Sequence, residues 1–217
     1  MKTLTILLLA IFTGSSAAWG GQIVVSPSNV IGAGETIGGT WNSEPYGATN
    51  IFDQQVGAVY DNIGNYWLCG GACSPAFITI DLGAAYQITS IDLFNSHNDG
   101  SGDRGTGNFY FVAGNSVLYD NVTAGDVLTG ATNTILTGTL TASPADPITR
   151  ETFAVSDTGF YRYLEFHATS GASWARTGMP ALNEIRLFGS PIPEPAPFGL
   201  IGFSLTACLL ATRRRVR

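Results

Sequence analysis

Two stretches of this 217-residue chain gather side chains able to recognise a polyhydroxylated ligand. His97, Asn98, Asp103 and Arg104 stand in "NSHNDGSGDRGTGNF", and Trp174 and Arg176 stand in "SGASWARTGMP". Planar donors and acceptors such as a guanidinium or a carboxamide pair with vicinal hydroxyls, while an aromatic face covers the apolar C–H side of a sugar ring. The plainer reading is loop bracing, with Arg104 paired to Asp99 or Asp103 and Trp174 packed on its own loop, since exposed ion pairs are common and weak. His167 lies inside an alternating strand pattern and reads as structural.

Catalysis finds little support. A hydrolytic triad needs a nucleophile, a histidine and an orienting acid, and the chain has two histidines with no nucleophile elbow beside either. "GAGETIGG" lacks the lysine of a phosphate-binding loop, and no helical pattern follows it. The chain therefore reads as non-enzymatic.

The formal charge is −6, but Lys2, Arg213, Arg214, Arg215 and Arg217 lie in the terminal segments. Between them five arginines face fifteen of the sixteen acids, a net of −10 for the central region. Such a body repels phosphate backbones, which excludes nucleic acid as the expected partner.

The start "MKTLTILLLAIFTGSSAAWG" has a cationic Lys2, an apolar run from Leu4 to Phe12 and small residues to Ala18. This is the pattern of a secretory signal peptide spanning residues 1–18, with Gly20 as the alternative cleavage point. Export to an oxidising compartment predicts a local disulfide between Cys69 and Cys73, across a "GGA" linker flexible enough to close it. The competing metal reading lacks further soft ligands nearby.

At the other end, residues 191–217 begin with alternating prolines that hold the chain extended. Ala196 to Thr212 carries no charge and is close to the minimum length for a transmembrane helix, and the arginines after it would stay on the cytoplasmic side. The Pro193-Glu194-Pro195 motif, the marginal span and the arginine tail together resemble the PEP-CTERM sorting signal of Gram-negative bacteria. The resemblance implies transient tethering in the inner membrane, processing by an exosortase, and delivery to the cell surface or extracellular matrix. A permanent anchor is the alternative.

Residues 19–190 hold repeated short strand patterns broken by Gly, Asn, Asp and Pro. "FITIDLG" and "ITSIDLFN" read as two strands joined by "AAYQ", followed by "NFYFVAG", "TFAVSD", "FYRYLEFHA" and "NEIRLFG". The Thr-rich segment from Asn121 to Pro147 reads as an edge strand or two with long loops. The expectation is an all-β sandwich.

The order of "YGATNIFDQQ", "NYW", "FITIDLGAAYQITSIDLFN", "DRGTGNFYFVAG", "YRYLEFHATS" and "ALNEIRLFG" resembles the discoidin, or coagulation factor 5/8 C-type, domain of the galactose-binding-like jelly rolls. The resemblance implies a jelly-roll sandwich with Trp67 in its core and carbohydrate bound by loops at one end, where the His97 and Trp174 stretches would converge. It also implies a structural calcium held by Asp53 and Glu184 with backbone carbonyls. Gln54 departs from the family's usual glycine, and an Asx-turn at Asp53 is the alternative to metal binding. Together these features predict an exported module whose ligand sites are His97, Asn98, Arg104, Trp174 and Arg176 and whose partner is glycan or exopolysaccharide. A structural surface or matrix protein without a sugar site is the alternative.

Overall fold

The computed structural model describes residues 20–34, 45–56, 65–70, 76–97, 104–121, 125–143, 147–170 and 179–192. The expected leader, transmembrane span and Pro193-Glu194-Pro195 motif lie outside them. Among the described residues no helix is long and apolar enough to cross a membrane.

Eleven strands appear among the described residues: β1 (Gly21–Ile23), β2 (Val30–Ala33), β3 (Trp67–Leu68), β4 (Ala76–Asn95), β5 (Asn108–Gly114), β6 (Val117–Asn121), β7 (Gly125–Leu128), β8 (Thr132–Thr139), β9 (Arg150–Ala154), β10 (Tyr161–Ala168) and β11 (Ala181–Pro191). Short 3₁₀ turns occupy Pro27–Asn29 and Ala48–Phe52. One layer runs β6-β7-β2-β4-β10-β5-β8. The second is built on β11, which pairs with β1, β3 and the later half of β4, while β9 covers the other edge of β4.

The two strands expected on either side of "AAYQ" are one continuous element of 20 residues. Its first half pairs with β2 and β10, from Ala76 opposite Ala168 to Tyr86 opposite Tyr161. Its second half returns in the other layer, from Tyr86 opposite Pro191 to Asn95 opposite Leu182. The reversal starts at Gly83, whose φ of +77° is left-handed and whose N–H is accepted by Asp81 Oδ1 at 2.8 Å. A Cβ there would meet nothing within 4 Å, so backbone conformation rather than space selects glycine. Gly189 is different: a Cβ would lie 2.3 Å from the Gln87 carbonyl oxygen, so two strands could not approach so closely with any larger residue.

Alternation puts Ile78 and Ile80 of β4, Phe109, Phe111 and Ala113 of β5, Leu164 and Phe166 of β10, and Ile185 and Leu187 of β11 into one core. Trp67 is completely buried and meets Phe166 edge-to-face at 6.2 Å, so it packs as the sequence predicts. On the opposite face of β10, Glu165 is buried among donors. Its Oε2 accepts from Thr79 Oγ1 at 3.0 Å and from the Leu128 N–H at 2.9 Å, and its Oε1 meets His167 Nε2 at 2.7 Å. These contacts tie β7 onto the sheet, and His167, stacked on Tyr110 at 4.4 Å, belongs to that structural network. The Thr-rich segment supplies two strands, β7 and β8, the number that the sequence allows. β6, just before it, pairs with β7, and β8 pairs along β5.

Candidate functional site

One end of the sandwich collects the close of β4, β8 and β10 and the start of β5, β9 and β11. Polar side chains rivet it. Asn95 donates through Nδ2 to the carbonyls of Thr106 at 2.9 Å and Thr141 at 2.8 Å, and its Oδ1 accepts the N–H groups of Ser96 and Thr106. Thr106 Oγ1 donates to the Ala181 carbonyl at 2.9 Å. All four hydrogen-bonding positions of a buried carboxamide are thus used, which fixes the chain two residues before His97 and two residues after Arg104.

Arg104 lies over a pair of tyrosines. Its guanidinium carbon is 5.6 Å from the centre of the Tyr46 ring and 5.9 Å from that of Tyr66, and it donates to the Tyr66 hydroxyl. Tyr46 and Tyr66 meet edge-to-face at 5.1 Å. With Leu68, Phe94, Ile148 and Ala181 they form a second apolar cluster at this end. Burial pushes the Tyr66 hydroxyl well above its ordinary pKa, against the pull of Arg104, so the phenol stays neutral and the guanidinium stays charged. The carboxylates considered as partners for Arg104, Asp99 and Asp103, lie outside the described residues. Among the described residues, the Tyr46 and Tyr66 rings and the Tyr66 hydroxyl are what orient it. His97 is buried at 1 % exposure. Asn98, Trp174 and Arg176 lie outside the described residues.

Cys69 is buried and disulfide-bonded, and its N–H donates to the Pro180 carbonyl at 2.9 Å. Its sulfur partner lies outside the described residues, as Cys73 does.

A second constellation joins the Ala48–Phe52 turn to β11. Asp53 caps the turn, and its Oδ1 accepts the Gln55 N–H at 2.8 Å, which is an Asx-turn. Between them Gln54 takes φ +63°, a left-handed conformation that costs a non-glycine residue on the order of 1 kcal/mol. That turn aims the Gln54 N–H at Glu184, whose Oε2 accepts it at 3.2 Å. Glu184 is 1 % exposed, and Arg186 Nε stands 3.8 Å from its Oε1. Burial foremost, then the charge of Asp53, raises the Glu184 pKa to about 7, against the pull of the Gln54 N–H and Arg186. The two carboxylates expected to hold a cation are therefore close enough to repel one another. Among the described residues no three His, Cys, Asp or Glu side chains gather into a metal-binding group. A cation here would draw the rest of its shell from backbone carbonyls, and a hard, oxygen-seeking ion fits the two carboxylates present.

No family model and no curated protein matches the chain. Solved structures do. The family 32 carbohydrate-binding module of C. perfringens NanJ, in complex with galactose, aligns over 78 % of this chain and 98 % of its own, with a TM-score of 0.51 and 14 % identity. A family 32 module from Clostridium perfringens in complex with GalNAc-β-1,3-galactose covers 78 % of this chain and 100 % of its own, with a TM-score of 0.53 and 12 % identity. The SusE-like protein BT2857 covers 80 % and 68 %, with a TM-score of 0.56 and 13 % identity. At such identities the likeness establishes the fold: an all-β sandwich of the discoidin-like type found in family 32 carbohydrate-binding modules.

The Glu184 carboxyl makes stability depend on pH in a definite direction. Its folded pKa lies above the unfolded value, so its contribution is complete below about pH 4.5 and is lost as pH rises through about 7. In metal-free buffer the unfolding free energy is expected to fall by up to roughly 3 kcal/mol between pH 5 and pH 8. Glu184→Gln, which keeps an acceptor for the Gln54 N–H, should flatten most of that slope in denaturant titrations; an unchanged slope would place the titration elsewhere.

Proposed function

We propose that this chain is an exported, non-catalytic glycan-binding module whose ligand site is the loop end carrying Arg104 and His97, joined by Asn98, Trp174 and Arg176. The observation that carries the reading is Arg104 itself, a guanidinium laid on the Tyr46 and Tyr66 rings. A fork held in this way loses little freedom on forming hydrogen bonds to vicinal hydroxyls. The fold likeness supports it, since two similar modules were solved with galactose and with GalNAc-β-1,3-galactose.

The same reading assigns structural calcium to Asp53 and Glu184, where it would neutralise a buried acidic pair and pin the turn below the loops to β11. It also assigns the terminal segments to traffic: an N-terminal signal for export, and a PEP-CTERM tail that retains the protein in the inner membrane until an exosortase removes it. The product would then lie at the cell surface or in exopolysaccharide. Where the described chain begins and ends suits this arrangement. Gly21 pairs with Gly189, and the Ile192 N–H donates to the Ala85 carbonyl at 3.2 Å, both at the end where β4 reverses, opposite Arg104.

A glycan array is the decisive experiment: saturable binding is expected for wild type, and none at all would leave only a structural surface role. Arg104→Lys keeps the charge and the alkyl stem but loses the planar fork, so affinity should fall by roughly tenfold or more with little change in melting temperature. At pH 8 calcium is expected to raise the melting temperature by several degrees, and Glu184→Gln should abolish most of that gain. Mass spectrometry of the mature protein should find a C-terminus upstream of Arg217; intact Arg217 on surface-located protein would refute processing.

A further inference from the structure

We infer that the cleft between the end of β4 and the β8–β9 connection is a second subsite, which takes the neighbouring uncharged pyranose of an oligosaccharide; this rests on the glycan-binding reading of the Arg104 end. The cleft encloses about 310 Å³ and is lined by Asn95, Thr141, Ser143, Pro147, Thr149 and Glu151, together with Ala142. That volume lies at the small end of ligand clefts and suits a single ring.

Position links it to the first site. Asn95 is a wall of the cleft and at the same time grips Thr106, two residues from Arg104. Ile148, between the lining residues Pro147 and Thr149, packs in the apolar cluster that contains Tyr46 and Tyr66, the two rings under the Arg104 guanidinium. Cleft and guanidinium therefore flank one cluster, and a glycan seated at Arg104 has its next unit directed along the β8–β9 connection.

Lining chemistry chooses the occupant. Glu151 accepts the Thr141 N–H at 2.8 Å through Oε1 and the Thr141 hydroxyl at 3.2 Å through Oε2. These bonds hold its carboxylate in place while leaving each oxygen a further lone pair for a sugar hydroxyl. Threonine and serine hydroxyls can donate or accept, as a ring with equatorial and axial hydroxyls requires. None of the described lining residues is aromatic, so these residues hold the ring by its edge rather than stack on its face. None of the described lining residues is cationic, and the Glu151 carboxylate stands on the wall, so a uronate or sulfated unit is repelled.

The test uses galactose and GalNAc-β-1,3-galactose with the whole protein by titration calorimetry. Wild type is expected to bind the disaccharide about tenfold more tightly than galactose. Thr149→Trp, at an exposed position on the rim, should bring the disaccharide down to the galactose affinity while leaving galactose binding as it was; circular dichroism checks that the variant is folded. Arg104→Lys should weaken both sugars together. Equal affinity of wild type for the two sugars, or a Thr149→Trp variant with undiminished disaccharide preference, overturns the subsite and spares the primary site. Failure of wild type to bind either sugar overturns both assignments.

Discussion

The structure depends on one reversal. β4 crosses the first layer, turns at Gly83 and comes back through the second, so a single strand supplies hydrogen-bonding edges to β2 and β10 in one layer and to β11 and β9 in the other. Backbone groups buried in a sandwich must be paired, and here the two layers are paired to the same covalent segment. Their relative position is set by the turn more than by side-chain packing alone. Both ends of β4 consequently finish on the same side. Ala76 lies opposite Ala168 and so beside the start of β5, and Asn95 grips Thr106 just before that start.

From this follows the division of labour between the two ends. In the middle of the sandwich, stability comes from apolar burial around Phe109, Phe111, Phe166 and Trp67. At the loop end the same continuity is achieved with polar rivets, because loops leave backbone carbonyls without strand neighbours. Asn95 satisfies two of these carbonyls and two amides, and Thr106 satisfies another carbonyl. A buried carboxamide with every position filled has one acceptable geometry. The described chain on either side, at Ser96 and at Thr106, is thereby held at a fixed spacing, and Arg104 gains orientation from the Tyr46 and Tyr66 rings.

Much of the layer content was legible because alternation in "FITIDLG", "ITSIDLF" and "YLEFHA" is a direct consequence of half-buried strands. The reversal was not, since a pair of strands and a folded single strand carry the same pattern, and only the left-handed φ at Gly83 separates them. The Thr-rich segment was legible only as a strand or two without bounds, because threonine satisfies both faces of an exposed edge and leaves no hydrophobic rhythm to mark where β7 and β8 begin and end. The Asp53 and Glu184 pairing was legible only through family resemblance, as 130 residues separate Gln54 from the carboxylate that accepts its N–H. Nothing local announced that Arg104 would lie on a tyrosine 38 positions earlier, or that Asn95 would hold Thr141 across 46. Contacts of that kind are made by topology, and a single sequence records only the residues, not their meeting.

The same topology gives the two ends of the domain opposite duties. β11 begins at Ala181 beside the riveted loops and finishes at Pro191 beside the β4 turn, about 30 Å away at strand rise. β1 enters beside Gly189, so the described chain both arrives and departs at the far end. Pro191, which pairs with Tyr86 at the last register position of β11, makes the exit stiff from its first residue. A tether attached there would hold the domain by its base and leave the Arg104 loops and the neighbouring cleft facing outward. Attachment at the loop end would instead press the candidate site toward whatever surface held it. The order of strands, independent of any property of the tail itself, thus puts the Arg104 end of the sandwich opposite the end where the described chain enters and leaves.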